Sequence, residues 1–478
     1  MKENKLPNPN ENKMGTMPIG RLLLTMALPL VISMLVQAFY NVVDSYFVTL
    51  ISTQNNNAVT ALSLAFPIQN LQIGFATGAA VGMNSLLSKS LGEGNQKRAN
   101  QAAGNGIILS LVFAGLFIIF GFVGTKSYYS VFNASEEIAR YGTDYTSICS
   151  IFCLGSFIAI LGERMLQSSG RAVYTMFTQG IGAIVNIILD PLFILGSAGL
   201  SQMLGFEIPF YVPRMEVAGA AVATVIAQWV SATLAIVFNL TKNPDISFRL
   251  RYLIPKWEII RKTLAVGVPS IIMMAIGSVM NFSMNQIFMG FSETATAVFG
   301  IYFKLQSFFL MPLFGLNSAS ISIIAYNFGA RQPKRIMQTM KLALCTAMTI
   351  MLIGLAVFQI FPDVLMGIFD SAEADVAGEL VTNGMKALRI VSFHFPIAAV
   401  SIALGASFPA LGNGIYSTIT SLCRQLVVLV PAAYLLSLTG DVNAVWWSFP
   451  LAEVVSATVT VLLFIRIYRK KVKPLFLQ

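Results

Sequence analysis

ALPLVISMLVQAFYNVVDSYFV, residues 27–48, decides the fold class. It exceeds the about 20 apolar residues that carry a helix across a bilayer, yet it contains a carboxylate, Asp44, with no basic residue near it in sequence. Comparable stretches recur along all 478 residues, of which 56% are hydrophobic and 11% charged, and the mean hydropathy is +0.72. A chain so apolar and so poor in charge is not a soluble globular protein. It reads as an all-α integral membrane protein, because lipid offers backbone groups no partners and helices satisfy their own. The first stretch is longer than the apolar core of a cleavable leader, so no signal peptide is expected. Cys149, Cys153, Cys345 and Cys423 all fall in apolar segments and read as small packing residues rather than disulfide partners.

Twelve segments satisfy the length criterion, near 20–50, 58–86, 100–124, 139–168, 172–197, 216–240, 258–290, 294–325, 336–361, 380–411, 414–438 and 442–467. The net charge of +10 would suggest nucleic acid in a soluble chain; here its placement sets orientation, and no nucleic acid partner is expected. One set of loop ends carries clusters such as Lys89, Lys97 and Arg98, Arg249, Arg251 and Lys256, or Arg331, Lys334 and Arg335, while the opposite loops hold Lys126, Arg140 and Arg214. The positive-inside rule then puts both termini in the cytoplasm, and an even number of spans likewise requires them to share a side.

The chain also resembles itself at a lag of roughly 240 residues. LGEGNQKRA (91–99) aligns with FGARQPKRI (328–336), SSGRAVY (168–174) with ALGNGIY (410–416), and Pro29 with Pro269. Both copies hold six spans and start from the same side, which predicts two six-helix bundles related by a pseudo-twofold axis along the membrane normal, with a substrate path between them. The expected organisation is a tail 1–19, an N-lobe 20–241, a basic loop 242–257, a C-lobe 258–467 and a basic tail 468–478.

An ionisable group in hydrocarbon costs at least ~2.5 kcal/mol and so faces water or a partner. On the first span Gln37, Tyr40, Asn41 and Asp44 follow i, i+3, i+4, i+7 spacing, one polar stripe on an otherwise apolar helix. On the fifth, Gln179, Asn186 and Asp190 share a face, and Pro191 frees a backbone carbonyl. At a rise of about 1.5 Å per residue, Asp44 and Asp190 lie at similar depth in the outer half of the first bundle. Such a pair can take up a proton, or hold a sodium ion with Asn and carbonyl oxygens; a capping role at a broken helix is the alternative. The second half has Asn281 and Asn285 in place of the first acid and LVP (429–431) in place of LDP (189–191). It carries instead Lys304, His394, Arg424 and Glu453, of which Arg424 and Glu453 read as a structural ion pair and His394 as a packing residue. Glu163 beside Arg164 reads either as a gate pair or as an acid facing a cavity. No nucleotide or zinc-protease motif occurs, so enzyme activity is not expected and no cofactor beyond a coupling ion, H+ or Na+, is implied.

The two repeats, Pro29 and Asp44 in their opening stretch, NIILDP (186–191), VAGAAVATVIAQ (217–228) and FPLAE (449–453) together resemble the MATE family of multidrug and toxic compound extrusion transporters, most closely its bacterial MepA-type and DinF-type branches. The resemblance implies a multi-pass carrier of the bacterial cytoplasmic (inner) membrane, acting as a monomer among membrane lipids and exporting drugs and other organic cations by antiport with H+ or Na+. It further implies a cation site at Asp44, Asn186 and Asp190 with Tyr40 and Thr224 beside it, and bending at Pro29. Gln37, Asn41, Glu163, Gln179, Asn281 and Asn285 are the candidates for a substrate cavity or gate. Acidic residues that NorM-type members carry on the seventh and tenth helices are absent from 265–290 and 384–411. The competing reading is a flippase, or an exporter of a lipid-linked or specific endogenous metabolite.

Overall fold

The computed structural model describes residues 12–51, 57–132, 135–206, 209–367 and 374–477. Among them it is all helical. Nine helices are long and apolar enough to span a membrane: α1 (Ile19–Thr49), α3 (Gln96–Val123), α5 (Ala172–Leu204), α6 (Glu216–Lys242), α7 (Trp257–Met289), α8 (Glu293–Gly329), α9 (Pro333–Ile360), α11 (Gly414–Ser437) and α12 (Val442–Phe476). Two more spans are broken: α4, Glu136–Ile151 with Leu154–Ser168, bends by 48°, and α10, Leu380–Ser392 with Phe395–Ala410, bends by 47°. The twelfth, α2 (Asn57–Gly92), is 36 residues long and carries Gln69, Asn70, Gln72 and Asn84, which lower its hydropathy.

Two spans depart from a plain α-helix. α5 extends to Leu204, seven residues past its expected end at 197, and kinks at Gly196. Gly196 has φ 72°, and a Cβ there would come within 2.9 Å of the Val212 carbonyl; Ser197 N donates to that same oxygen at 3.0 Å. In α11 the stretch Cys423–Leu429 is π-helical.

The repeat is written into the backbone. Gly170 and Gly412, which correspond in the alignment, have φ 79° and φ 73°. Each is followed by the same long turn bond: Arg171 N donates to Leu166 O and Asn413 N to Phe408 O, both at 2.7 Å. Left-handed backbone at these helix ends is cheap only without a Cβ. The corresponding positions Gly94 and Arg331 also share positive φ, 68° and 54°.

Contacts divide the chain into two compact units. One comprises Met1–Val31, Ser88–Gly94 and Val268–Gln478; the other Ile32–Leu87 and Asn95–Gly267. The division therefore does not fall in the 242–257 loop. It cuts α1 two residues after Pro29 and α7 one residue before Pro269, where a missing N–H removes an intrahelical bond.

In the first unit the start of α1 packs on α8: a Cβ on Gly315 would lie 2.8 Å from Val31 N. There too the repeated loops interlock, since a Cβ on Gly92 would meet Tyr326 O at 1.9 Å and one on Gly329 would meet Lys89 O at 2.1 Å. A short helix, Lys13–Thr16, is held by Arg335, which donates to Met14 O at 2.9 Å, Met17 O at 2.8 Å and Asn327 Oδ1 at 2.9 Å. In the second unit the start of α7 packs on α2, with Gly82 against the Thr263 carbonyl.

The cysteines are free; Cys149 and Cys153 are buried, whereas Cys345 is exposed on α9 and so is not a packing residue.

Candidate functional site

Asp44 on α1 and Asp190 on α5 meet. Their carboxyls lie close enough to interact directly, and Asp190 is fully buried. Asn186, one turn before Asp190, donates to Asp190 Oδ1 at 3.0 Å. Three acceptor oxygens in this group have no hydrogen-bond partner although buried: Asp44 Oδ1, Asn186 Oδ1 and Asp190 Oδ2. Acceptor atoms left bare in a dry place call for a proton or a cation. The donor set is all oxygen, two carboxyls and an amide, which fits a hard ion such as sodium. Among the described residues no group of three or more His, Cys, Asp or Glu gathers as a metal cluster.

The surroundings are partly those expected. Tyr40 lies beside both carboxyls and hydrogen-bonds Gln37, which is exposed on the same stripe. The side chain of Asn41 lies outside the described residues. Thr224 is half-buried on α6 and makes no hydrogen bond to the pair. The sequence reading missed Tyr145 and Cys149 of α4, both buried and within electrostatic reach of Asp44. Gln69 of α2 donates to Tyr145 Oη at 2.9 Å, so a polar chain leads from α2 toward the pair. The signal available for it was the polar content of α2 and of the first part of α4.

Gln179 does not join the Asp190 site. It turns to Glu163, donating to Oε2 at 2.7 Å, while Thr178 donates to Oε1 at 2.9 Å. Glu163 is buried, 6% exposed. Arg164 turns instead to Gln167 Oε1, to which it donates at 2.9 Å, and no Glu163–Arg164 ion pair occurs among the described residues.

In the other unit Asn281 is half-buried and Asn285 exposed, its amide donating to Asn281 O at 3.0 Å. Arg424, in the π-helical stretch, pairs with buried Glu453 at 3.7 Å. His394 is buried between Gln306 Nε2, 3.1 Å from its Nε2, and Val391 O, 2.6 Å from Nδ1. Lys304 is exposed on α8.

A repeated, multi-span scaffold with an acid pair in the membrane and no enzymatic motif defines a membrane transporter. The MatE family model matches residues 29–192 and again 269–435, once per half, each match opening at one of the paired prolines. The chain belongs to the MatE family. It is 23% identical to the multidrug export protein MepA of Staphylococcus haemolyticus over 92% of each chain. It is 25% identical to a FAD transporter of Shewanella oneidensis, over 91% of this chain and 92% of the other. A crystal structure of MATE in complex with MaL6 superposes with a TM-score of 0.88 at 23% identity, covering 98% of this chain and all of that one.

Proposed function

We propose that the chain is a secondary active multidrug exporter of a bacterial inner membrane, with its basic loops and both termini in the cytoplasm. It exchanges amphipathic organic cations for H+ or Na+ bound by Asp44, Asp190 and Asn186. The observation that carries this reading is the contact between two acids with three buried acceptor oxygens unfilled. Two neighbouring carboxyls with buried, unpartnered oxygens are costly as bare anions, so a proton or a cation completes them.

An ion drives a conformational change only by binding one state better than the other. Asp44 is suited to that because α1 contributes to both compact units, with Pro29 at the division. Substrates of the amphipathic cation class fit the walls that 35 Phe and 22 Met can supply. No cofactor is needed beyond the ion, and the carrier works as a monomer.

A second reading follows from the relative named as a FAD transporter, namely export of one endogenous metabolite. Cells expressing Asp44→Asn should lose drug resistance at unchanged protein level. Ethidium efflux from loaded cells separates the two readings, since a dedicated metabolite exporter leaves the dye untouched.

A further inference from the structure

The segment between the repeats, residues 243–256, is not a free linker. Ser247 N donates to Asn100 Oδ1 at 2.9 Å and Lys256 N to Asn105 Oδ1 at 2.7 Å, both acceptors lying on α3. Asp245 pairs with Arg171 at the start of α5. The segment is thus strapped across the basic end of its own unit. Beneath it two cavities adjoin, sharing Ile107 and Phe248. One, of about 270 Å³, runs between α3, α4 and α6 and is walled by apolar side chains such as Leu111, Leu154, Ile158 and Leu240. The other, of about 210 Å³, lies under the strap itself, among Asn100, Ser247, Arg249 and Tyr252.

The strap has the chemistry of a headgroup layer. Leu250, Ile254 and Trp257 are 84%, 62% and 73% exposed, and they alternate with the exposed cations Arg249, Arg251 and Lys256. Exposed apolar and Trp side chains interleaved with basic ones belong at a membrane interface. Arg249 forms no ion pair among the described residues. A slot that is apolar along the spanning helices and cationic where it opens at the interface matches one ligand: an acyl chain carrying an anionic head.

We infer that the strap and the basic ends of α3, α4 and α6 form a binding site for one acidic glycerophospholipid of the cytoplasmic leaflet, its acyl chain beside Ile107 and Leu111 and its phosphate at Arg249. A soluble anion would gain nothing from the apolar cavity, and a zwitterionic lipid brings an ammonium with its phosphate, so it leaves the net positive charge of Arg249, Arg251 and Lys256 unbalanced. The site is separate from the ion pair and stands whether or not that pair couples transport.

The test is native mass spectrometry of the full chain released from detergent, equilibrated with equal amounts of phosphatidylglycerol and phosphatidylcholine. Wild type should retain phosphatidylglycerol in preference. Arg249→Gln should cut that retention about fivefold, the effect of one interfacial cation, while Lys341→Gln, a basic residue outside the strap, should leave it unchanged. Ser110→Leu narrows the apolar cavity, which Ser110 lines, and should reduce retention of both lipids. Equal retention of the two lipids by wild type would overturn the inference. So would wild-type retention in Arg249→Gln, or an equal loss in Lys341→Gln. Arg249 is exposed, so its variant keeps the fold and decides the matter even if Ser110→Leu does not elute as a single species.

Discussion

The acid pair makes a quantitative prediction about driving force. If Asp44 and Asp190 are the coupling site proposed above and one proton stays shared between them, a transport cycle fills and empties one further position. One ion then exchanges for one substrate. For ethidium, a monovalent cation, that exchange moves no net charge. In proteoliposomes a tenfold gradient of the coupling ion, worth about 1.4 kcal/mol, should sustain at most about a tenfold ethidium gradient. A potential of 100 mV imposed alone should change the accumulation less than about twofold. Two ions per cycle would move one net charge, and the same potential, worth ~2.3 kcal/mol, would change it about fiftyfold. Asp44→Asn keeps the shape but removes the carboxyl of α1, so an ion or proton still held by Asp190 on α5 no longer acts on the helix that contributes to both compact units. Its accumulation should show no response to pH or sodium gradients imposed separately. An Asp44→Asn protein that still concentrates ethidium about tenfold would refute the reasoning, and a fiftyfold response of wild type to potential would refute the count of one.

The rest of the molecule gives three further expectations. Arg335→Ala removes the donors that hold Met14 O, Met17 O and Asn327 Oδ1; it should cost about 2 kcal/mol and make the N-terminal tail sensitive to protease in the otherwise intact protein. Gly82→Ala would put a Cβ 2.1 Å from the Thr263 carbonyl. It should abolish monodisperse protein on gel filtration, while Gly115→Ala, with nothing within 4 Å, should not. Arg424→Gln strands buried Glu453 and should lower stability by about 2 kcal/mol, less than for a fully buried pair because Arg424 is a third exposed. The double variant Arg424→Gln with Glu453→Gln should recover most of that loss in a thermal melt.

Most of the fold was legible because a bilayer imposes a length and a helix imposes a period. Those two constraints are visible in sequence for all spans, even for α2, whose amides lower its hydropathy. The repeat was legible where backbone needs are strict: Gly170 and Gly412 occupy the same left-handed position. Within the site, the period of 3.6 put Tyr40 and Asp44 on one face of α1 and Asn186 with Asp190 on one face of α5. A period names a face; it does not name the neighbour across from it. That is why Gln179, on the Asp190 stripe by spacing, turns out to serve Glu163, and why Tyr145 and Cys149 were missed. The break of compact units inside α1 and α7 was illegible for a related reason. Hydropathy runs on through Pro29 and Pro269, and only contacts with α8 and α2 show to which unit each half-helix belongs.

The two halves share a scaffold and differ in charge. Glycine-mediated close packing recurs at Gly82 against α7 and Gly315 against α1, and the family model matches each half from its proline onward. Yet Asp44 corresponds to Asn285 and Asp190 to Val430, so the second half repeats the proline but not the acids. Had both halves carried the acids, each cycle would have room for a second ion, and exchange with a monovalent cation would become sensitive to membrane potential. On the proposed mechanism, restricting the acids to one unit confines the ion's work to α1 and α5, and α1 is divided between the two compact units. An ion bound at Asp44 would therefore act on a helix divided between the two units, whereas its counterpart α7 has the uncharged Asn285 at that position.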